Sequence, residues 1–139
     1  MEKFAFVIHP LDARRDVARK YPFVKLLPES WVEFALRYKS PMAVSHITGV
    51  KSLTGAEAEG WFVGCPLTPR LLAALPVEEV YRKIIDTVKI GESLGAKIAG
   101  LGAHTSVVGD GGVSIARGSN IAVTTGNSYT IASGIEGAL

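Results

Sequence analysis

Residues 78–94 and the stretch that follows them constrain this chain most. Val80, Ile84 and Val88 form one apolar row at helical spacing, with Tyr81 and Ile85 beside it. Glu78 with Arg82, and Glu79 with Lys83, have the i, i+4 polarity that favours an exposed helix face. Gly95 can take the left-handed conformation that commonly ends a helix, and an apolar run begins at Ile98. A long helix that returns at once into an apolar strand is the crossover that parallel pairing requires. The chain is therefore expected to build on a parallel sheet.

The other segments add to that frame. Residues 3–9 are aromatic and β-branched and read as a first strand buried on both faces. Asp12 can cap a thin surface helix that Pro22 closes. Ser30 and Glu33 match a capping box, after which Trp31, Phe34, Ala35 and Tyr38 recur at helical spacing and read as a core stripe. Residues 42–50 and 59–67 read as strands joined by a short turn, an antiparallel hairpin in which His46 is a hydrogen-bonded structural residue. Thr68-Pro69 caps and starts a short helix that stops before Pro76. The expected fold is a three-layer α/β domain with a mixed, largely parallel sheet and one antiparallel edge pair.

Composition narrows the function classes. The length of 139 residues suits one domain with its own core, and 47% hydrophobic with 20% charged residues is ordinary for a globular chain. A formal net charge of +2 is too small to argue for nucleic acid or a membrane surface. The one basic cluster, Arg14, Arg15, Arg19 and Lys20, reads as a solvated helix face. A single cysteine, Cys65, excludes an intramolecular disulfide and a multi-cysteine zinc site, and reads as a small buried apolar side chain. No run approaches the length of a membrane span, and the first residues lack the pattern of a secretory signal, so the expected compartment is the cytoplasm.

The chemistry is expected in residues 97–127. Two strand candidates, 98–101 and 121–123, both end in small and hydroxyl-bearing residues. Ligands of open α/β sheets collect beyond the carboxyl ends of strands, so these two loops are expected to form one wall of a substrate cleft. Gly102, His104, Thr105 and Ser106 lie in the first loop, and Thr124, Thr125, Gly126 and Asn127 in the second. The hydroxyls and the amide would hydrogen-bond a small anionic or carbonyl-bearing group, while Gly102 and Gly126 would let it approach the main chain. If Asn127 opens the last helix, free amides face the same point, although Thr125 or Asn127 as a simple cap is an equal reading.

Nucleotide and triad chemistry both fail their tests in this chain. Gly100-Leu101-Gly102 lacks the third glycine of the dinucleotide fingerprint and the acidic residue beyond it. Ser106 has no G-x-S-x-G elbow, and the three histidines and isolated acids show no metal-ligand spacing.

Several segments then fall in a familiar order. They are Ser45-His46-Ile47-Thr48 with Thr54-Gly55, then residues 64–69 with Leu71 and Leu72. Residues 101–108 (LGAHTSVV) and 124–130 (TTGNSYT) complete the series. Together they resemble the N-terminal region of the long-chain acyl-[acyl-carrier-protein] reductases of cyanobacteria and their bacterial relatives, which include predicted amino-acid or shikimate dehydrogenases. The resemblance implies a substrate-binding domain placed before a Rossmann domain of the same polypeptide, which would hold NADP or NAD. It implies a small-molecule or acyl substrate, and no cofactor or metal on this fragment. Cys65 resembles a non-nucleophilic cysteine of that family. The last helix, still apolar at Leu139, would lead into the second domain. The alternatives are a stand-alone small-ligand binding or regulatory module, and a homo-oligomer formed through the Trp31 and Phe34 face.

Overall fold

The computed structural model describes residues 1–138. Five strands form one sheet in the order β2-β3-β1-β4-β5, where β1 is Glu2–Ile8, β2 Met42–Lys51, β3 Glu57–Gly64, β4 Ile98–Leu101 and β5 Ala122–Thr124. Strands β3, β1, β4 and β5 run parallel, and β2 pairs antiparallel with β3 at one edge. The α/β class, the mixed sheet and the antiparallel edge pair are as the sequence leads one to expect. Helices lie around the sheet: α1 (Ala13–Ala18), α2 (Glu29–Tyr38), α3 (Pro69–Ala74), α4 (Val77–Ser93), α5 (Val113–Arg117) and α6 (Asn127–Ala138).

The core forms where α4 crosses β1 and β3. Val80, Ile84 and Val88 are fully buried against Ala5, Val7, Val63 and Ala99. Gly91 lets the helix approach the sheet, since a methyl there would overlap the Ala5 methyl. Gly95, at φ +90°, ends the crossover in the expected left-handed turn. The i, i+4 pair expected between Glu79 and Lys83 on α4 is redirected. Glu79 instead takes both nitrogens of the Arg37 fork at 2.9 Å, and Lys83 Nζ donates to the Lys39 carbonyl (3.1 Å). Both contacts tie the end of α2 to the start of α4.

Four local expectations are corrected. Strand β1 is buried on one face only, because Phe6 on the other face is 39% exposed. Ser30 does not cap α2. Pro28 holds that position, and Glu33 turns inward to accept from the Thr68 hydroxyl (3.1 Å) and face Arg70 (3.5 Å). The aromatic stripe of α2 is not core: Trp31, Phe34 and Tyr38 are 68%, 67% and 66% exposed. Val32 and Leu36, on the opposite side of the helix, pack instead on Ala13 and Val24. Pro22 does not simply end α1 either, but opens a 3-10 turn, Pro22–Leu26.

Other assignments hold. Asp12 caps α1 through the Arg15 amide, and Thr68 caps α3 through the Leu71 amide. His46 Nε2 donates to the Glu59 carboxylate at 3.1 Å and stacks on Trp61, a structural histidine. Cys65 is fully buried.

Candidate functional site

The carboxyl ends of β3, β1, β4 and β5 open onto one end of the sheet, and the start of antiparallel β2 lies there too, with Met42 opposite Gly64. Each strand ends where a different loop leaves. Beyond β3 come Cys65 and Pro66, and beyond β1 come His9 and Pro10. Gly102 and a 3-10 turn, Ala103–Ser106, follow β4, and Thr125-Gly126 follow β5. This is the geometry that places ligands beyond strand ends in open α/β sheets.

A cleft of about 600 Å³ lies on the β3 side of β1, within the range of small-molecule sites. Its apolar lining includes Ile8, Leu11, Val17, Leu36, Met42, Val44 and Pro66, and Arg19, Lys20 and Lys39 with Asp16 supply the charge. His9 forms part of the wall. It joins the cleft to the β4 loop, because its Nε2 accepts the His104 backbone N–H at 3.3 Å and the two rings meet edge to face at 5.3 Å.

The chemistry of His9 follows from its two partners. Its Nδ1 lies 3.1 Å from the Pro10 carbonyl, which can only accept, so Nδ1 carries the hydrogen. Its Nε2 meets an N–H donor and must be the lone-pair nitrogen. The Nε2 contact selects the neutral imidazole, and the Pro10 contact fixes which tautomer it is. Burial lowers the pKa of His9 below the usual histidine value; the Pro10 carbonyl opposes that, and His104 adds to the lowering. His9 at neutral pH is therefore an uncharged group whose Nε2 becomes a proton acceptor once the His104 amide is displaced.

The structure separates the eight residues expected at the site. Thr105 is fully buried, and its hydroxyl donates to the Gly102 carbonyl at 2.7 Å; Ser106 is almost buried, and its hydroxyl donates to the Ala103 carbonyl at 2.6 Å. Both hydroxyls are thus taken up by main-chain carbonyls at the start of their own turn. Gly102 does not offer its main chain to a ligand, since its Cα is covered by the Phe6 ring and the Val7 carbonyl. His104, Thr124, Gly126 and Asn127 are exposed, and Thr125 is half-buried.

The two loops do leave neighbouring strands at the same end. Gly100 pairs with Thr124, and Gly112 of the first loop sits against Leu101 and the Thr125 methyl. Gly126, at φ +74° in open space, turns the chain into α6, and its carbonyl accepts the Thr130 amide and hydroxyl at 3.1 Å. The Thr125 hydroxyl accepts weakly from the Asn127 amide (3.5 Å), so it acts as a local cap. Sequence reasoning missed His9 and the 600 Å³ cleft, which none of the eight residues lines. The available signal was a histidine at the end of a strand, directly before a proline that stops it.

No helix among the described residues is long and apolar enough to cross a membrane, and they hold no cluster of three metal-ligating side chains. No protein-family model matches the chain. It is similar to the aminotransferase PigE of Serratia sp. (strain ATCC 39006), with 28% identity over 141 residues. That alignment covers 96% of this chain and 16% of PigE, so the chain spans about a sixth of the length of the relative it matches.

Proposed function

We propose that this chain is the substrate-binding domain of an NAD(P)H-dependent oxidoreductase, of the acyl-thioester or aldehyde reductase type or the shikimate and amino-acid dehydrogenase type. The observation that carries the reading is the meeting of His9 and His104 at the strand ends, between an apolar cleft and an open, polar loop. The resemblance of residues 101–108 and 124–130 to the acyl-[acyl-carrier-protein] reductases supports it. In this reading the substrate lies in the cleft with its reacting carbonyl near His9 and His104. Thr124 and Asn127 orient its polar end, and NADP or NAD is held by a Rossmann domain outside residues 1–139. On reduction His104 gives the proton to the carbonyl oxygen while the cofactor supplies the hydride, and neutral His9 fixes the His104 main chain and can take the proton back in the reverse direction.

The test is kinetic. The intact protein containing this domain should oxidise NADPH or NADH in the presence of an acyl thioester, an aldehyde or a small keto acid. His9→Gln, His104→Ala and Asn127→Ala should each lower kcat/KM by about tenfold or more. Unchanged kinetics in all three would end the reading. The isolated chain should show no micromolar NADPH binding by titration calorimetry; such binding would mean that the cofactor site has been misplaced.

The similarity to PigE favours a second reading, a substrate domain attached to an aminotransferase. The same intact protein then transfers an amino group to an aldehyde or ketone without consuming a nicotinamide cofactor. Measuring both activities with a shared carbonyl substrate separates the two.

A further inference from the structure

Fifteen basic and thirteen acidic residues nearly cancel, which is why the sequence gives no reason to expect a charged surface as partner. The charge is not evenly spread, however. Residues 11–40 hold seven basic and four acidic side chains, and the other 109 residues hold eight and nine. Of those four acids, Asp12 and Asp16 accept backbone amides around the first turn of α1, and Glu33 is buried on Thr68. Arg14, Arg15, Arg19, Lys20 and Lys25 are all exposed.

The same segment carries five large exposed apolar or aromatic side chains. Phe23, Leu26, Trp31, Phe34 and Tyr38 are each about two-thirds or more exposed, and Trp31 and Phe34 line one shallow groove while Phe23 and Trp31 line another. The cations sit among these rings. Lys39 Nζ lies 5.5 Å from the centre of the Tyr21 ring, and the Arg37 guanidinium lies 5.7 Å from that of Tyr38. Arg14 donates to the Lys25 carbonyl and so fixes the 3-10 turn against α1. Tyr21 and Lys39 line both the groove beside Trp31 and the large cleft, so the aromatic surface runs up to the cleft itself.

Rings flanked by lysine and arginine suit the headgroup layer of a bilayer, where the rings partition and the cations meet anionic lipid. A second copy of the chain would instead bring the same cations against one another. The geometry points to α1, the Pro22–Leu26 turn and α2 as a docking face for an anionic lipid surface, with Phe23, Trp31 and Phe34 entering the headgroup layer. This inference does not rest on the reductase reading, and it holds equally for an aminotransferase substrate domain.

The test uses the whole chain and vesicles of defined composition. Phosphatidylcholine vesicles containing about a third phosphatidylserine should carry the protein upward in flotation at low salt, and about 0.5 M salt should release most of it. Vesicles of phosphatidylcholine alone should bind about tenfold more weakly or less. The double variant Trp31→Ser/Phe34→Ser should lose about tenfold in vesicle affinity while keeping its urea midpoint, because both side chains are exposed. The chain has two tryptophans, so Trp61→Phe leaves Trp31 as the sole reporter, and its emission should shift to the blue on anionic vesicles. No flotation at low salt overturns the inference. So does flotation indifferent to the double variant, or a lipid-independent dimer that shields Trp31.

Discussion

Gly102→Ala should destabilise the domain by about 2 kcal/mol, through one contact that can be isolated. Gly102 has φ −95°, an ordinary conformation for any residue, so backbone strain plays no part. Alanine would even gain about 0.5 kcal/mol from a less flexible unfolded chain. Against that, the new methyl would lie 2.8 Å from the Phe6 ring and 2.7 Å from the Val7 carbonyl oxygen. The ring is part-exposed and can swing aside. The carbonyl cannot, because it belongs to β1, whose Val7 side chain is fully buried, and because it accepts the Gly102 N–H at 3.1 Å. The main chain at residue 102 must therefore withdraw, stretching that bond and shifting the turn that carries His104. Urea denaturation of Gly102→Ala, Phe6→Ala and the double variant reads the two contacts apart. The ring contact should account for less than half of the loss, so the cycle should restore only that part. A Gly102→Ala domain as stable as the parent, or one fully restored by Phe6→Ala, would refute the carbonyl argument.

Three further outcomes test other parts of the site. Thr105→Val should lower stability by about 1 kcal/mol by removing the hydroxyl that reaches Gly102, with no effect on the affinity of a ligand bound in the cleft, read by denaturation and calorimetry. Thr68→Val removes both the cap of α3 and the donor to buried Glu33, and should lower the unfolding free energy by about 2–3 kcal/mol in the same assay. His9 makes stability depend on pH in a definite direction. Its folded pKa is lowered, so as pH falls below 6.5 the unfolded chain takes up the proton first, and stability declines until pH passes the folded pKa. Above 6.5 the full stability is present. His9→Gln should flatten that part of the profile, and an unchanged slope would show that the imidazole is not held neutral.

The parts of this fold legible in the sequence were those where one physical signal had one structural solution. The row Val80, Ile84, Val88 followed by Gly95 and an apolar run admits little but a helix packed on a parallel sheet. Two strands joined by a short turn gave the edge pair for the same reason. Helix α2 defeated the reading because it carries two apolar faces. Periodicity marks Trp31, Phe34 and Tyr38 as well as Val32 and Leu36, and size favoured the wrong set. Only the space left beside Ala13 and Val24 decides, and that is a tertiary fact. Thr105 and Ser106 show a different limit. Their loop was found, but a short hydroxyl can turn to a ligand or back to the main chain, and its direction depends on a 3-10 turn that no spacing rule reveals.

That inward turn also explains why the rim is asymmetric. Once Gly102 is held by Val7 and its carbonyl takes both the amide and the hydroxyl of Thr105, the β4 loop is fixed at its root, with the Thr105 and Ser106 hydroxyls already engaged. What such a loop can present is the residue between its anchors, and that residue is His104, whose amide is already fixed on His9. The same rigidity that holds two hydroxyls on the main chain sets one imidazole beside another. On the β5 side Gly126 has open space around it, so Thr124 and Asn127 project from a turn that nothing crowds. In the proposed reading, a ligand reaching across this rim meets a pair of imidazoles at one end and an adaptable polar turn at the other. That is the division expected where one group must be aligned for chemistry while the remainder is only recognised.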